Sequence, residues 1–69
     1  MIYDSEWDRW AIVMDGQTYE LHCGECIRIK IAGNRMNCRL EYDRDWYVIM
    51  EGACFYLIQK NRYQVQLWD

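Results

Sequence analysis

The sequence contains no proline and no long hydrophobic run. Proline is one of the residues that protect the edges of β-sheets, so any exposed edge here has to be protected in another way. A transmembrane helix needs a run of about 18 or more apolar residues, and none is present. Residues 1–6 also lack the basic stretch and the apolar run of a signal peptide. We therefore expect a cytoplasmic protein without a membrane-spanning helix.

A strong net charge is also missing. The chain has 11 acidic and 8 basic side chains, which give a formal net charge of −3. Nucleic-acid-binding domains are commonly strongly basic, so this balance argues against nucleic acid overall, although a local basic patch remains compatible with it. Of the residues, 52% are hydrophobic and 16% are aromatic, which excludes disorder. The 69 residues suffice for one domain, which we place at 1–69.

The clearest pattern is a run in which isoleucines alternate with cations, namely Ile27, Arg28, Ile29, Lys30 and Ile31. This period is typical of a strand with one buried face. A second alternating run covers residues 36–42, and the residues between the runs, 32–35, have the composition of a turn. The sequence thus predicts an antiparallel hairpin. Its expected register pairs Ile31 with Met36, Ile29 with Cys38 and Ile27 with Leu40.

Further strands are predicted on both sides of this hairpin. Residues 46–50 extend it to a meander, with Trp46, Val48 and Met50 on the core face and Tyr47 and Ile49 on the outer face. Upstream, residues 9–14 and 18–21 form a hairpin around an Asp-Gly turn. An alternative is a short helix that starts at residue 5 with a serine N-cap.

The C-terminal third is less regular. Residues 62–67 alternate again and predict a closing strand, whereas residues 54–58 are compatible with a strand or with a buried helical turn. Five or six short strands separated by turns, without a clear helix, indicate an all-β barrel or sandwich. A barrel leaves few free strand edges, which suits a chain without proline.

A family resemblance supports the barrel. The segment Glu20–Glu25 is a polar break with a glycine before the isoleucine strand, and it resembles the diverging turn of SH3-like domains. Together with Tyr3-Asp4, Arg9-Trp10, Glu41-Tyr42-Asp43 and Trp46-Tyr47, it is similar to a small bacterial domain family of unknown function, met in bacteria and their mobile elements. The resemblance covers about residues 3–50. It implies a small SH3-like β-barrel of five to six antiparallel strands and carries no activity with it.

The cysteines allow two interpretations. Cys23 and Cys26 have the spacing of a zinc knuckle, but a full site needs a second close pair, and Cys38 and Cys54 stand alone. We expect free thiols, with Cys38 on the core face, and therefore no cofactor. A zinc or redox pair at Cys23 and Cys26 is the alternative. His22 lies next to Cys23, but adjacent residues of an extended chain point to opposite faces, so we expect a polar turn histidine.

We interpret the acidic and aromatic side chains mainly as structural residues. The acidic groups Asp4, Glu6 and Asp8, and Asp43 and Asp45, lack the spacing of a calcium loop and are interpreted as solvated turn carboxylates. A small domain needs large side chains to fill its core, so Trp10 and Trp46 are assigned to it. Trp7 and Trp68 are expected to be exposed.

One surface stands out as a candidate binding face. In the expected register, Arg28 lies opposite Arg39 and Lys30 opposite Asn37, with Arg35 at the turn and Tyr47 beside them. The hypothesis is that this face, comprising Arg28, Lys30, Arg35, Asn37, Arg39 and Tyr47, binds an acidic partner protein. The alternative is a solvated face whose charge is neutralised by Glu41 and nearby acidic residues.

The sequence is also compatible with functions other than binding of an acidic protein. The predicted function is a non-catalytic protein-interaction module, since a chain this short has little room for a reaction pocket. One alternative is a nucleic-acid-binding accessory protein of a mobile element, with Tyr47 as a stacking platform. A small zinc or thiol-redox protein is the other.

Overall fold

The computed structural model describes residues 1–67, which form short antiparallel strands and no helix. The predicted all-β class is confirmed. The strands are β1 (Ile2–Asp4), β2 (Arg9–Met14), β3 (Gln17–Glu20), β4 (Cys26–Ile31), β5 (Asn34–Asp43), β6 (Asp45–Met50), β7 (Ala53–Tyr56) and β8 (Val65–Leu67). Over this range no helix is present that could cross a membrane.

The strands form two sheets. One has the order β1-β2-β3, and the other has the order β7-β6-β5-β4-β8. The count of eight in residues 1–67 exceeds the expected five or six, because β1 was not predicted and the ambiguous C-terminal segment contributes β7. Backbone hydrogen bonds between Met1 and Tyr63 link the start of β1 to the segment before β8, but the two sheets do not close into one barrel.

The β4–β5 hairpin differs from its expected register by two residues. Ile31 pairs with Asn34, so the turn consists of Ala32 and Gly33 alone. Both residues have positive φ, 52° and 83°, the backbone of a type I′ turn, whose twist matches that of paired strands. The four-residue turn predicted over 32–35 is therefore wrong. A shift of two residues preserves the faces, so Ile27 and Ile29 are fully buried as expected.

The other predicted elements agree with the structure to different degrees. The meander β4-β5-β6 and the hairpin β2-β3, which turns at Asp15 and Gly16, are confirmed. The helix considered from Ser5 is wrong, because residues 5–8 form turns. The closing strand is confined to Val65–Leu67.

Trp10 joins the two sheets through aromatic contacts. It lies on β2, is fully buried, and its ring centroid lies 5.4 Å from that of Tyr3 and 5.7 Å from that of Tyr63. Tyr63 in turn contacts Phe55 of β7 at 6.3 Å, edge to face. The core cluster is made of Trp10, Ile12, Leu21, Ile27, Ile29, Cys38, Leu40, Trp46, Val48 and Leu57. The core positions predicted for Trp10 and Trp46 are thus confirmed.

Trp7, by contrast, is exposed as predicted, with 64% of its surface accessible. Trp68 lies outside the described residues.

We expect Trp10→Ala to unfold most of the protein at room temperature. Truncating a buried tryptophan costs about 3–5 kcal/mol, and a domain of this size has a free energy of unfolding of only roughly 3–10 kcal/mol. Thermal unfolding followed by far-ultraviolet circular dichroism measures the loss. Trp7→Ala is the matched control and should change the midpoint little, and a Trp10→Ala protein as stable as this control would contradict the role of Trp10.

The hairpin turn gives a second stability prediction. Ala32 adopts a left-handed conformation that costs an ordinary residue about 1–2 kcal/mol, whereas asparagine followed by glycine is the preferred type I′ pair. Ala32→Asn should therefore raise the free energy of unfolding in urea by about 0.5–1 kcal/mol. An unchanged or lower stability would argue against the two-residue turn.

Candidate functional site

The six residues of the predicted binding face all lie on the outer side of the five-stranded sheet. Their positions follow from the register, because directly opposed residues of antiparallel strands share a face. Lys30 is opposite Arg35, Arg28 is opposite Asn37, and Tyr47 is opposite Glu41. The predicted pairs of Arg28 with Arg39 and of Lys30 with Asn37 are wrong, because the tighter turn shifts β5 by two residues.

Three cations collect at one end of this face. The Nε of Arg28 donates to Oδ1 of Asn37 at 2.9 Å, which fixes the guanidinium on the sheet surface. Lys30 and Arg35 are exposed and directly opposed, an arrangement that disfavours folding slightly because the charges repel. In residues 1–67, neither of the two ion pairs involves any of these three cations.

These cations form one wall of a groove of about 370 Å³, which we call the basic groove. Its other wall is largely apolar and comes from Ile12, Val13 and Met14 at the end of β2 and from Val65 of β8. No carboxylate side chain is found among the lining residues that the structure describes. The groove is therefore positively charged, with an apolar side.

At the opposite end of the face, the positive charge of Arg39 is neutralised by Glu41. Arg39 Nε lies 2.8 Å from Glu41 Oε2 in an ion pair, and Tyr47 lies directly opposite Glu41. The pKa of Tyr47 is raised, first by loss of solvent and then by the carboxylates of Glu41 and Asp43. Arg39 and Tyr47 are thus on the predicted face but outside the basic groove.

Cys23 and Cys26, the two cysteines with knuckle spacing, have different neighbours. The Cys23 thiol donates to Oε1 of Glu41 at 3.1 Å, which raises the pKa of Cys23 and lowers that of Glu41. The thiol thus bonds Glu41 and not the neighbouring His22. Cys26 lies on the outer face of β4, opposite Arg39. No group of three or more His, Cys, Asp or Glu side chains with metal-binding geometry occurs in the part of the chain that the structure describes.

A second groove was not predicted from the sequence. It has a volume of about 380 Å³, and its walls include Trp7, Tyr42 and Trp46, so we call it the aromatic groove. The rings of Tyr42 and Trp46 lie 4.9 Å apart between centroids. Asp8 also lines the groove, where its Oδ1 accepts hydrogen bonds from the Tyr3 hydroxyl and, at 3.3 Å, from Trp46 Nε1. The hydrogen bond to Asp8 raises the pKa of Tyr3 to about 12.

The aromatic groove arises where three separate loops meet, which is why the sequence did not reveal it. Trp7 and Asp8 precede β2, His22 and Cys23 follow β3, and Tyr42 lies beside the β5–β6 turn. The tryptophan and the acidic residues were each noticed, but no spacing along the chain brings them together.

The chain is thus an all-β domain of two small sheets that carries a basic groove and an aromatic groove. The model of one protein family, Domain of unknown function (DUF5348), matches residues 1–67, and the chain belongs to this family. A comparison with curated proteins gave no match, and neither did a comparison with solved structures.

The thiols offer a test of the cysteine geometry. Burial raises the pKa of Cys38 to about 11, and the bond to Glu41 raises that of Cys23, so both have less of the reactive thiolate at neutral pH. In mass-spectrometric labelling with iodoacetamide, we expect the exposed Cys26 and Cys54 to react first, Cys23 later and Cys38 only on unfolding. Glu41→Gln should speed the reaction of Cys23 selectively. Rapid labelling of Cys38 in the folded protein would contradict its burial.

Proposed function

We propose that this chain is a non-catalytic interaction module that binds an acidic segment of a partner protein in the basic groove. The observation that supports this most directly is the set of three cationic side chains in the groove, with no carboxylate side chain among the lining residues that lie in 1–67. The protein as a whole carries a net charge of −3, so this concentration of positive charge is local. A face that opposes Lys30 to Arg35 gains stability when an anionic partner covers it.

The shape of the groove favours an extended peptide. β8 lies at the end of its sheet and pairs only with β4 among the described strands, so its outer edge can accept a further strand. Side chains of an added strand alternate between two sides. A segment in which acidic and apolar residues alternate would therefore place carboxylates toward Arg28 and Lys30, and apolar groups toward Val13 and Met14.

Nucleic acid is the weaker candidate. Among the described residues, only three cationic side chains line the groove, and the predicted stacking residue, Tyr47, lies opposite the Glu41 carboxylate, which repels phosphate. A zinc or redox function at Cys23 and Cys26 is less well supported, because in residues 1–67 these cysteines do not belong to a group of three or more potential metal ligands. The SH3-like barrel is not confirmed, because the two sheets do not close into one barrel. The bacterial and mobile-element origin and the cytoplasmic location remain predictions.

The decisive experiment measures binding of a defined acidic peptide. A short fluorescein-labelled peptide of alternating glutamate and valine is titrated with the protein, and fluorescence anisotropy is recorded. The double variant Arg28→Glu/Lys30→Glu should weaken binding about tenfold or more, because it replaces two attractive charges by repulsive ones. Lys60→Glu is the control, since Lys60 is exposed and does not line the groove.

Further probes separate the alternatives. A peptide with glutamine in place of glutamate should not bind, and a single-stranded oligonucleotide should not displace the acidic peptide. Equal binding by the double variant and the wild type would remove the proposal. Tighter binding of the oligonucleotide, with a steep dependence on salt, would replace the proposal with the nucleic-acid alternative.

A further inference from the structure

The aromatic groove is a second site that shares no lining residue with the basic groove. Its most exposed wall is Trp7, with 64% of its surface accessible, and Tyr42 is 44% exposed. Trp46 is 8% exposed, and its ring contacts that of Tyr42 in a tilted arrangement, with an angle of 54° between the ring planes. The groove thus presents two large aromatic side chains to solvent on a rigid base.

Asp8 places a carboxylate in this groove, and hydrogen bonds fix its position. Both hydrogen bonds to its side chain, from Tyr3 and from Trp46, end on Oδ1. Oδ2 accepts no hydrogen bond from residues 1–67. The backbone of Asp8 has a φ of 51°, an uncommon conformation for a residue other than glycine. A protein retains such a conformation where the surrounding structure stabilises it. At Asp8 this conformation places a carboxylate oxygen beside aromatic rings.

The surrounding charges leave the groove suited to a cation. Arg9 also lines it, but Arg9 Nη1 lies 3.1 Å from Glu20 Oε2 and its charge is thereby paired. His22 is the other basic group of the lining. Asp4, at the end of β1, and Glu6, in the loop before β2, are further carboxylates near Asp8 in the chain, but neither lines the groove. Aromatic faces attract cations through their electron-rich centres, and a nearby carboxylate strengthens this attraction.

From this geometry we infer that the aromatic groove binds the side chain of an arginine in a partner peptide. The guanidinium stacks on the exposed indole of Trp7 and donates a hydrogen bond to Oδ2 of Asp8. Arginine fits better than lysine, because its guanidinium is planar, is more weakly hydrated, and can stack and donate at the same time. The inference does not depend on the function proposed for the basic groove.

The test uses three short peptides that differ at one position. Each contains glycine and serine around a central arginine, lysine or citrulline, the last being a neutral analogue of arginine with nearly the same shape. Binding is followed in ¹⁵N-labelled protein by the indole N–H resonances of the tryptophans. We expect the arginine peptide to shift the Trp7 and Trp46 resonances to saturation, and the citrulline peptide to leave them unchanged.

Two variants with matched controls identify the groups involved. Asp8→Asn keeps an oxygen for Tyr3 and Trp46 and tolerates the positive φ, so it removes mainly the charge. Asp15→Asn is its control, since Asp15 has the same φ of 51° and lies in a distant turn. Trp7→Ala removes the exposed indole, and Tyr56→Ala removes an equally exposed aromatic residue elsewhere. Asp8→Asn and Trp7→Ala should each weaken binding of the arginine peptide about fivefold, whereas the controls should not.

Several results would overturn the inference. Equal affinity for the citrulline peptide would show that charge is irrelevant, and equal affinity for the lysine peptide would exclude recognition of a guanidinium. Wild-type binding by Asp8→Asn or Trp7→Ala would remove the proposed contacts. A neutral proline-rich peptide that binds more tightly than the arginine peptide would identify a different occupant. The variant Arg28→Glu/Lys30→Glu should bind the arginine peptide as the wild type does, which keeps this test separate from that of the basic groove.

Discussion

The burial of Trp10 between two small sheets is the interaction on which the rest of the structure depends. A sheet of three short strands is not stable in water unless its apolar face is covered, and Trp10 supplies the largest side chain of that face. Its indole nitrogen has no hydrogen-bond partner within residues 1–67, which costs about 1–3 kcal/mol. The contacts with Tyr3 and Tyr63 and the removal of a large apolar surface from water offset this cost.

The same strand that carries Trp10 contributes to both grooves. Arg9, at the start of β2, lines the aromatic groove, while Ile12, Val13 and Met14, toward its end, line the basic groove. Fixing Trp10 in the core therefore fixes the position of β2 relative to β4 and β8. Both grooves depend on this sheet packing. Asp8 of the aromatic groove contributes to it through the hydrogen bond that its Oδ1 accepts from Trp46 Nε1, whereas Arg28, Lys30 and Arg35 of the basic groove take part in neither ion pair of residues 1–67.

The sequence predicted the faces of the strands better than their lengths or their register. Alternation placed Ile27, Ile29 and Val48 in the core, and this result is insensitive to turn length as long as the shift is even. The predicted register was wrong because an alanine at position 32 does not indicate a left-handed turn. β1 and β7 are only three and four residues long, too short for a clear period. The basic cluster was visible along two strands, whereas the aromatic groove depends on the meeting of distant loops.

Whether a charged side chain of this domain is paired depends on its neighbours and not on the number of charges in the chain. Arg9 and Arg39 are held by Glu20 and Glu41, and Glu41 also accepts the Cys23 hydrogen. In residues 1–67, Arg28, Lys30 and Arg35 of the basic groove take part in neither ion pair, and Oδ2 of Asp8 in the aromatic groove accepts no hydrogen bond. Under the two proposals, the grooves would discriminate between partners, because a segment that suits one groove would be repelled by the other. A partner with acidic and arginine-bearing segments would then bind in a single orientation, since exchange of the two segments would place like charges together.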